Sequence, residues 1–309
     1  MSAACLVCGG ETRAVLEGVR DTRFGVPGTW SIRACRRCGL EQTSPVPSAA
    51  ELKTLYESNY NFPALSEASA KAYTDRRERF LMSPLYQLML AVDGDISFHA
   101  AKGSGRLLDV GCNEGRGLTL YRRNGFAPEG LELNSVAAAT ARARGFVVHE
   151  QDLHDFRPER PFDRVVLSNV LEHALDPRQM LGDVHRVLRP GGEVWISLPN
   201  SKSWLRRLFG RFWINWHVPF HITHFSADRL QRLLAECGFT VIAAKQITPA
   251  LWAAQSVIAW AYPGRPEKLR STVPVAAIML VARGLLFPVL WLGNVLGSGD
   301  CLVMRARRA

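Results

Sequence analysis

The sequence predicts an α/β protein built on a doubly wound, mostly parallel sheet, with a small metal-held module in front of it. Three observations carry this. Between residues 105 and 200, short apolar runs alternate with helix-period segments at the spacing of βαβ units. The first of these runs ends in a glycine-bearing turn, Gly111-Cys-Asn-Glu-Gly115, that opens a helix. Ahead of them stand two CxxC pairs, Cys5/Cys8 and Cys35/Cys38.

The expected strands are 107–110, 127–133, 146–149, 164–168 and 193–198. The intervening helices are expected over 118–124, 135–144 and 177–188, the last stopped by Arg189-Pro-Gly-Gly192. Ser226 should cap a further helix over 227–236, followed by a strand over 239–245.

Composition sets the outer bounds. With 47% hydrophobic and 21% charged residues, the chain is globular rather than disordered. A formal net charge of +10 points to an acidic partner such as a phosphorylated substrate, an anionic lipid or nucleic acid. Met-Ser-Ala-Ala-Cys5 lacks the basic and apolar regions of a secretory signal, so a reducing, cytoplasmic setting is expected.

The paired cysteines are each followed by glycine, and short strands flank them at 12–16 and 30–34. Four thiolates from two such turns make the closed tetrahedral site that zinc prefers, with no open position for substrate. Residues 1–44 are therefore read as a structural zinc ribbon. Residues 45–104 are read as a helical linker or cap: Pro45 and Pro47 form a linker, Ser48 and Glu51 fit a capping box, and 66–92 is mostly helical in pattern, with Tyr73, Phe80 and Tyr86 along it. This segment is expected to cover the cleft of the next domain.

The turn at 111–115 has neither the GxGxxG spacing of a nicotinamide site nor the GxxxxGK[ST] of a P-loop. Glu132 ends the second strand, where a carboxylate can accept both ribose hydroxyls. Asp152 follows the third, where it can accept from an exocyclic amine. Together they suit an adenosine without a polyphosphate.

The runs Leu107-Leu-Asp109-Val-Gly111-Cys-Asn-Glu-Gly115, Gly130-Leu-Glu132-Leu-Asn134, Glu150-Gln-Asp152-Leu153 and Phe162-Asp-Arg-Val-Val-Leu-Ser-Asn169-Val-Leu-Glu172-His173 resemble the class I S-adenosylmethionine-dependent methyltransferases, over about residues 105–245. The resemblance implies a Rossmann-like seven-stranded sheet over 105–245 and 299–309. It places Asp109, Gly111 and Gly115 at the methionine end of the cofactor, with Cys112 and Asn113 in the same turn. Glu132 would hold the ribose, Asp152 the adenine, with Leu133 and Leu153 beside them, and Asn169 would flank the cofactor. Asn113 stands where the family has its middle glycine; asparagine tolerates the left-handed backbone better than most residues.

On the acceptor side, His173, His221 and His224 are the candidate catalytic residues, since a hydroxyl acceptor benefits from a base that titrates near neutrality. Related quinone-type enzymes carry Glu-x-x-Glu-His where this chain has Asn169-Val-Leu-Glu172-His173, so magnesium dependence is not expected. Pro219 between His217 and His221 argues against a metal there as well.

Two stretches speak of partners. Residues 204–216 combine three arginines with five aromatics, which suits anionic lipid or a lid over the cleft. Residues 246–298 form a hydrophobic insertion between the last two expected strands; it is read as a shallow or re-entrant membrane dock, with a buried helical pair or an oligomer interface as the alternative. The whole reads as a methyltransferase, peripheral at the inner membrane face, that O-methylates a lipid-linked saccharide or glycan precursor. The alternatives are a quinone-type or other small lipophilic acceptor, and a non-catalytic binding protein on the same fold. Nucleic acid is the weakest partner, because apart from the ribbon no RNA-binding module is recognisable.

Overall fold

A computed structural model describes residues 4–60, 79–270 and 272–309. Part of the helical segment expected over 66–92, including Tyr73, lies outside the described residues. The strands are β1 (Thr12–Val19), β2 (Trp30–Cys35), β3 (Glu41–Ser44), β4 (Arg106–Val110), β5 (Ala127–Leu131), β6 (Val147–His149), β7 (Phe162–Ser168), β8 (Leu188–Pro199), β9 (Thr223–His224), β10 (Phe239–Ile247) and β11 (Cys301–Arg308). The helices are α1 (Ala49–Leu55), α2 (Pro84–Asp93), α3 (Arg116–Arg123), α4 (Ser135–Ala143), α5 (Pro177–Val187), α6 (Trp204–Phe209), α7 (Ala227–Glu236), α8 (Ala250–Ala261), α9 (Thr272–Gly284) and α10 (Phe287–Val295).

Seven strands form the main sheet in the order β10-β11-β8-β7-β4-β5-β6. β4 to β8 are mutually parallel, and β11 runs antiparallel to both β8 and β10. The Rossmann-like expectation holds. The apolar runs become strands because helices cover them: Leu107, Leu108, Val165, Val166, Leu167 and Ile196 are all fully buried. Helix starts follow their caps, with Asn134 accepting from Ala137 N at 2.9 Å and Asp176 from Gln179 N at 2.9 Å. Leu230, Leu233 and Leu234 of α7 are fully buried too, each stabilising the domain by about 1.5–3 kcal/mol.

Chain order reverses around β4, which pairs with β7 on one side and β5 on the other. Ligands of such sheets sit beyond the carboxyl ends of the strands at this switch point. The turn 111–115, Glu132 and Asn169 all leave the sheet there.

The second sheet, β1-β2-β3-β9, is not purely N-terminal. β9 comes from beyond β8 and pairs with β3, Glu41 opposite His224 and Gln42 opposite Thr223.

The segment 204–216, expected to face lipid or to cover the cleft, is partly internal. Trp213 and Trp216 are buried, because each indole finds a polar partner inside: Trp213 Nε1 donates to Asp300 Oδ1 at 2.8 Å and Trp216 Nε1 to the Gly210 carbonyl at 2.9 Å. The insertion divides. α8 is core, with Trp252, Ala254, Ser256 and Ile258 buried, whereas α9, α10 and the residues flanking them expose Leu280, Leu285, Trp291, Val295 and Leu296. Arg283 on α9 turns inward and pairs with Asp93 of α2, Nε to Oδ1 at 2.9 Å.

Candidate cofactor and acceptor site

The turn after β4 is built for close approach of a ligand. Gly111 and Gly115 have φ of +72° and +74°, and Asn113 takes the same left-handed region at φ +49°. A Cβ at Gly115 would lie 2.9 Å from Ala141 Cβ, so helix packing as well as backbone conformation demands glycine there. Cys112 is buried behind the turn, and the Gly111 and Cys112 amides both bond the Leu131 carbonyl.

Glu132 is the hub of this end. Its Oε2 accepts from the Asn113 amide at 2.9 Å and its Oε1 from the Asn134 amide at 2.8 Å, which fixes the carboxylate at the mouth of the turn with lone pairs to spare. Leu133 beside it is 67% exposed, an apolar surface facing outward at the strand end. Asp152 is exposed and holds its own loop through the His154 amide at 2.8 Å. The Leu153 side chain packs in the core, so only its main chain is available to a ligand. Asn169 has φ +54° and bonds the Ser197 carbonyl through its amide at 2.8 Å.

Asp109, at the end of β4, is buried. Burial, reinforced by the charge of Glu132, pushes its carboxyl up to about 7. A cationic ligand beside it would draw the carboxylate back to its ionised form.

Across the cleft, the structure brings His173 and His221 together but not His224. The His173 and His221 rings meet edge to face with centroids 4.7 Å apart. His224 faces the N-terminal sheet instead, with Nε2 3.0 Å from Thr43 Oγ1 and its ring edge on Trp216. Burial lowers His173 to about 4, His224 to about 3, and His221 well below the usual range, so all three rings are neutral at pH 7.

Several residues of this cluster carried no signal in the sequence. Tyr56, just beyond α1, places its hydroxyl 2.8 Å from His173 Nδ1. The β1–β2 loop, fastened by Asp21 to the amides of Arg23, Phe24 and Val26, lays Phe24 against His217 and Phe220 at centroid distances of 5.5 and 5.4 Å. Nothing in the spacing of residues 20–29 reveals that they reach a histidine some two hundred positions away. Glu172 lies beneath, fully enclosed, its carboxylate oxygens without a hydrogen-bond partner among the described residues. Burial pushes it up to about 8, so it is a neutral acid at pH 7.

Glu172, His173 and His221 each bring a donor atom within 4.8 Å of the others. Several of its nitrogens are already engaged by protein partners. His221 Nδ1 bonds the Asn215 carbonyl and Nε2 bonds His217 Nδ1 at 3.2 Å, His173 Nδ1 is taken by Tyr56, and the first carboxylate of the quinone-type pattern is Asn169.

The four N-terminal cysteines are free and clustered. Cys5 Sγ lies 3.6 Å from Cys38 Sγ and Cys8 Sγ lies 3.5 Å from Cys35 Sγ, all four within 4.8 Å of one another. A tetrahedron of ~2.3 Å Zn–S bonds has sulfur edges of about 3.8 Å, so the donor set fits zinc.

A methyltransferase-domain family profile matches residues 74–244, more than half of the chain. The chain belongs to the class I S-adenosylmethionine-dependent methyltransferases. This methyltransferase is 32% identical over 165 residues to a ubiquinone biosynthesis O-methyltransferase of Erwinia tasmaniensis, covering 50% of this chain and 67% of that one. It is 30% identical over 123 residues to the protein of the same name from Sodalis glossinidius, covering 37% and 49%. Among solved structures, a 1,6-didemethyltoxoflavin-N1-methyltransferase of Burkholderia thailandensis superposes with a TM-score of 0.48 at 16% identity, over 92% of this chain and 97% of that one.

Proposed function

We propose that this methyltransferase transfers the methyl group of S-adenosylmethionine to a hydroxyl on a small, lipophilic, quinone-type ring. The observation that carries the reading is the Tyr56–His173 contact: a phenolic hydroxyl sits 2.8 Å from the imidazole, walled by Phe24 and Phe220. A phenolic acceptor that replaces Tyr56 would meet the same neutral nitrogen. The relatives' names support this acceptor over the lipid-linked saccharide.

In this reading Gly111, Cys112, Asn113 and Gly115 admit the methionine end, with Asp109 beside it. Glu132 and Leu133 take the ribose side, Asp152 and the Leu153 main chain the adenine, and Asn169 flanks the sulfonium. The cofactor supplies an activated methyl on a cationic sulfur, and the protein aligns acceptor oxygen and methyl in a dry cleft. His173 takes the hydroxyl proton, His221 positions it, and His224 holds the floor. Cys5, Cys8, Cys35 and Cys38 would hold a structural zinc, and 1–44 would act as a ribbon that also walls the acceptor side.

No single helix among the described residues is long and apolar enough to cross a membrane, but Val275–Gly284 and Phe287–Val295 form an apolar pair bent by 70°. Their exposed leucines and Trp291 support peripheral docking, where a lipophilic acceptor would be met. The test is methyl transfer from labelled S-adenosylmethionine to hydroxylated quinols, simple phenols and saccharide lipids in parallel. Turnover of saccharide lipids alone would overturn the acceptor assignment.

A further inference from the structure

We propose that the groove between the cysteine-bearing sheet and α6 binds a phosphoryl group carried on a partly apolar ligand. This groove is separate from the cofactor turn and from the His173 cluster. It has a volume of about 850 Å³, enough for far more than a single phosphate.

Five cations line it, namely Arg13 on β1, Arg36 in the second cysteine turn, Lys202 ahead of α6, and Arg206 and Arg207 on α6, against one lining carboxylate, Glu41. Two of the five are matched. Arg206 pairs with Glu41 at 3.1 Å and lies over the Trp216 ring at 4.8 Å, and Arg36 pairs with Glu11 at 3.8 Å. Arg13, Lys202 and Arg207 are exposed and have no ion-pair partner among the described residues. Like charges gathered in a concave site repel one another and raise the local potential for an anion. A phosphoryl group suits the set best, since arginine grips its oxygens in a bidentate fork and lysine adds a point charge.

The rest of the lining indicates what carries the phosphate. Val15, 37% exposed, and Leu16 stand beside the cations and offer apolar contact. α6 then leads out of the groove to the apolar face of the insertion. Leu208, next to Arg207, is 62% exposed, and Trp204 packs so closely on α10 that a Cβ at Gly293 would lie 2.7 Å from its Nε1. A soluble phosphoester and a phospholipid headgroup share this chemistry, and the experiment separates them.

The two probes are pyrophosphate, titrated by calorimetry, and phosphatidylcholine vesicles with or without phosphatidylglycerol, tested by cosedimentation. The variants are Lys202→Glu with Arg207→Glu, the milder Lys202→Ala with Arg207→Ala, and Arg160→Glu as a charge change elsewhere on the surface. S-adenosylmethionine binding and the thermal midpoint report folding. Pyrophosphate affinity should fall about ten-fold or more in the reversal and several-fold in the alanine pair, with the Arg160 variant unchanged. Binding of anionic vesicles that is lost in the reversal assigns a headgroup; binding of pyrophosphate alone assigns a soluble phosphate. Failure of both probes on the native chain overturns the proposal. So does equal weakening by all three variants, or retention of an RNA oligonucleotide when neither probe binds.

Discussion

Trp213 donates its indole N–H to the Asp300 carboxylate across 2.8 Å, fastening the aromatic segment that follows β8 to the residue just before β11. Asn215 Nδ2 reaches the other carboxylate oxygen at 2.9 Å, and Ser203 Oγ also donates to this buried group. Asp300→Ala leaves these donors enclosed and unmatched, and should lower stability by roughly 2–4 kcal/mol in chemical unfolding. Burial, partly offset by the hydrogen bonds from Ser203, Trp213 and Asn215, raises the Asp300 carboxyl to about 6. Between its ordinary value near 3.8 and about 6, the native state then binds more protons than the unfolded one. Stability contributed here falls as pH rises through that window and levels off above it. Asp300→Asn should flatten that slope relative to the native chain; equal slopes would discount the assignment.

Glu132 is held by two amides and aimed at the turn, so its carboxylate is the decisive cofactor contact in our reading. Glu132→Ala should weaken S-adenosylmethionine binding by about ten- to a hundred-fold, as loss of a charge-assisted hydrogen bond does, while Glu132→Gln falls between. At Asn113 the left-handed φ sets the outcome: glycine should bind about as well as asparagine, whereas valine is strained there by about 1–2 kcal/mol. Calorimetry reads all four variants, and valine binding like glycine would refute the backbone argument.

His173 is neutral at pH 7 because enclosure of its ring lowers it to about 4. The methyl-transfer rate should therefore show no histidine limb between about pH 5 and 8, and should fall only toward pH 4 as the ring takes up a proton. His173→Ala should cut kcat by about a hundred-fold with S-adenosylmethionine affinity unchanged. Tyr56→Phe, which frees Nδ1, should move acceptor KM more than kcat. A limb near 6.5 in the native rate profile would count against His173 as the base.

The α9–α10 surface predicts graded attachment. Leu285 is 77% exposed and Trp291 55% exposed, and neither supports the core. Leu285→Glu with Trp291→Glu should abolish cosedimentation with anionic vesicles at unchanged thermal stability. Persistent cosedimentation would instead point to another surface, and a shift from dimer to monomer would identify the patch as an interface between copies.

Much of this molecule was legible in local pattern. The parallel strands, the left-handed turn at 111–115 and the caps at Ser48 and Ser226 all depend on residues within a few positions of one another. Glu132 could be placed because a strand end fixes where a side chain emerges. The cluster around His173 resisted for the opposite reason: Tyr56 meets His173, and Phe24 meets Phe220, only through tertiary packing. Within the aromatic run 204–216, composition could not show that Trp213 turns inward, because its partner Asp300 lies far along the chain. His224 was grouped with His221 by spacing, yet β9 turns it toward Thr43.

That β3–β9 junction links the cysteine cluster to the histidine-bearing segment 217–224. Thr43 N bonds the Ile222 carbonyl at 2.9 Å, and Thr43 Oγ1 donates to the His221 carbonyl at 2.6 Å. The cysteine turns anchor the other end of the same small sheet, since the Cys35 amide bonds the Leu40 carbonyl one residue before β3. If the four thiolates hold zinc as proposed, its removal would loosen the turns that it ties together. Chelation, or Cys35→Ser, should therefore speed amide exchange over residues 217–224 by well over ten-fold while the cofactor turn at 106–115 keeps its protection. S-adenosylmethionine affinity should stay within a few-fold and acceptor turnover should drop. Because exchange is read without any acceptor, the result stands apart from the acceptor assignment. Uniform exchange across both segments would mean that the cysteine cluster supports the whole fold, and no change at 217–224 would mean that the two sites are uncoupled.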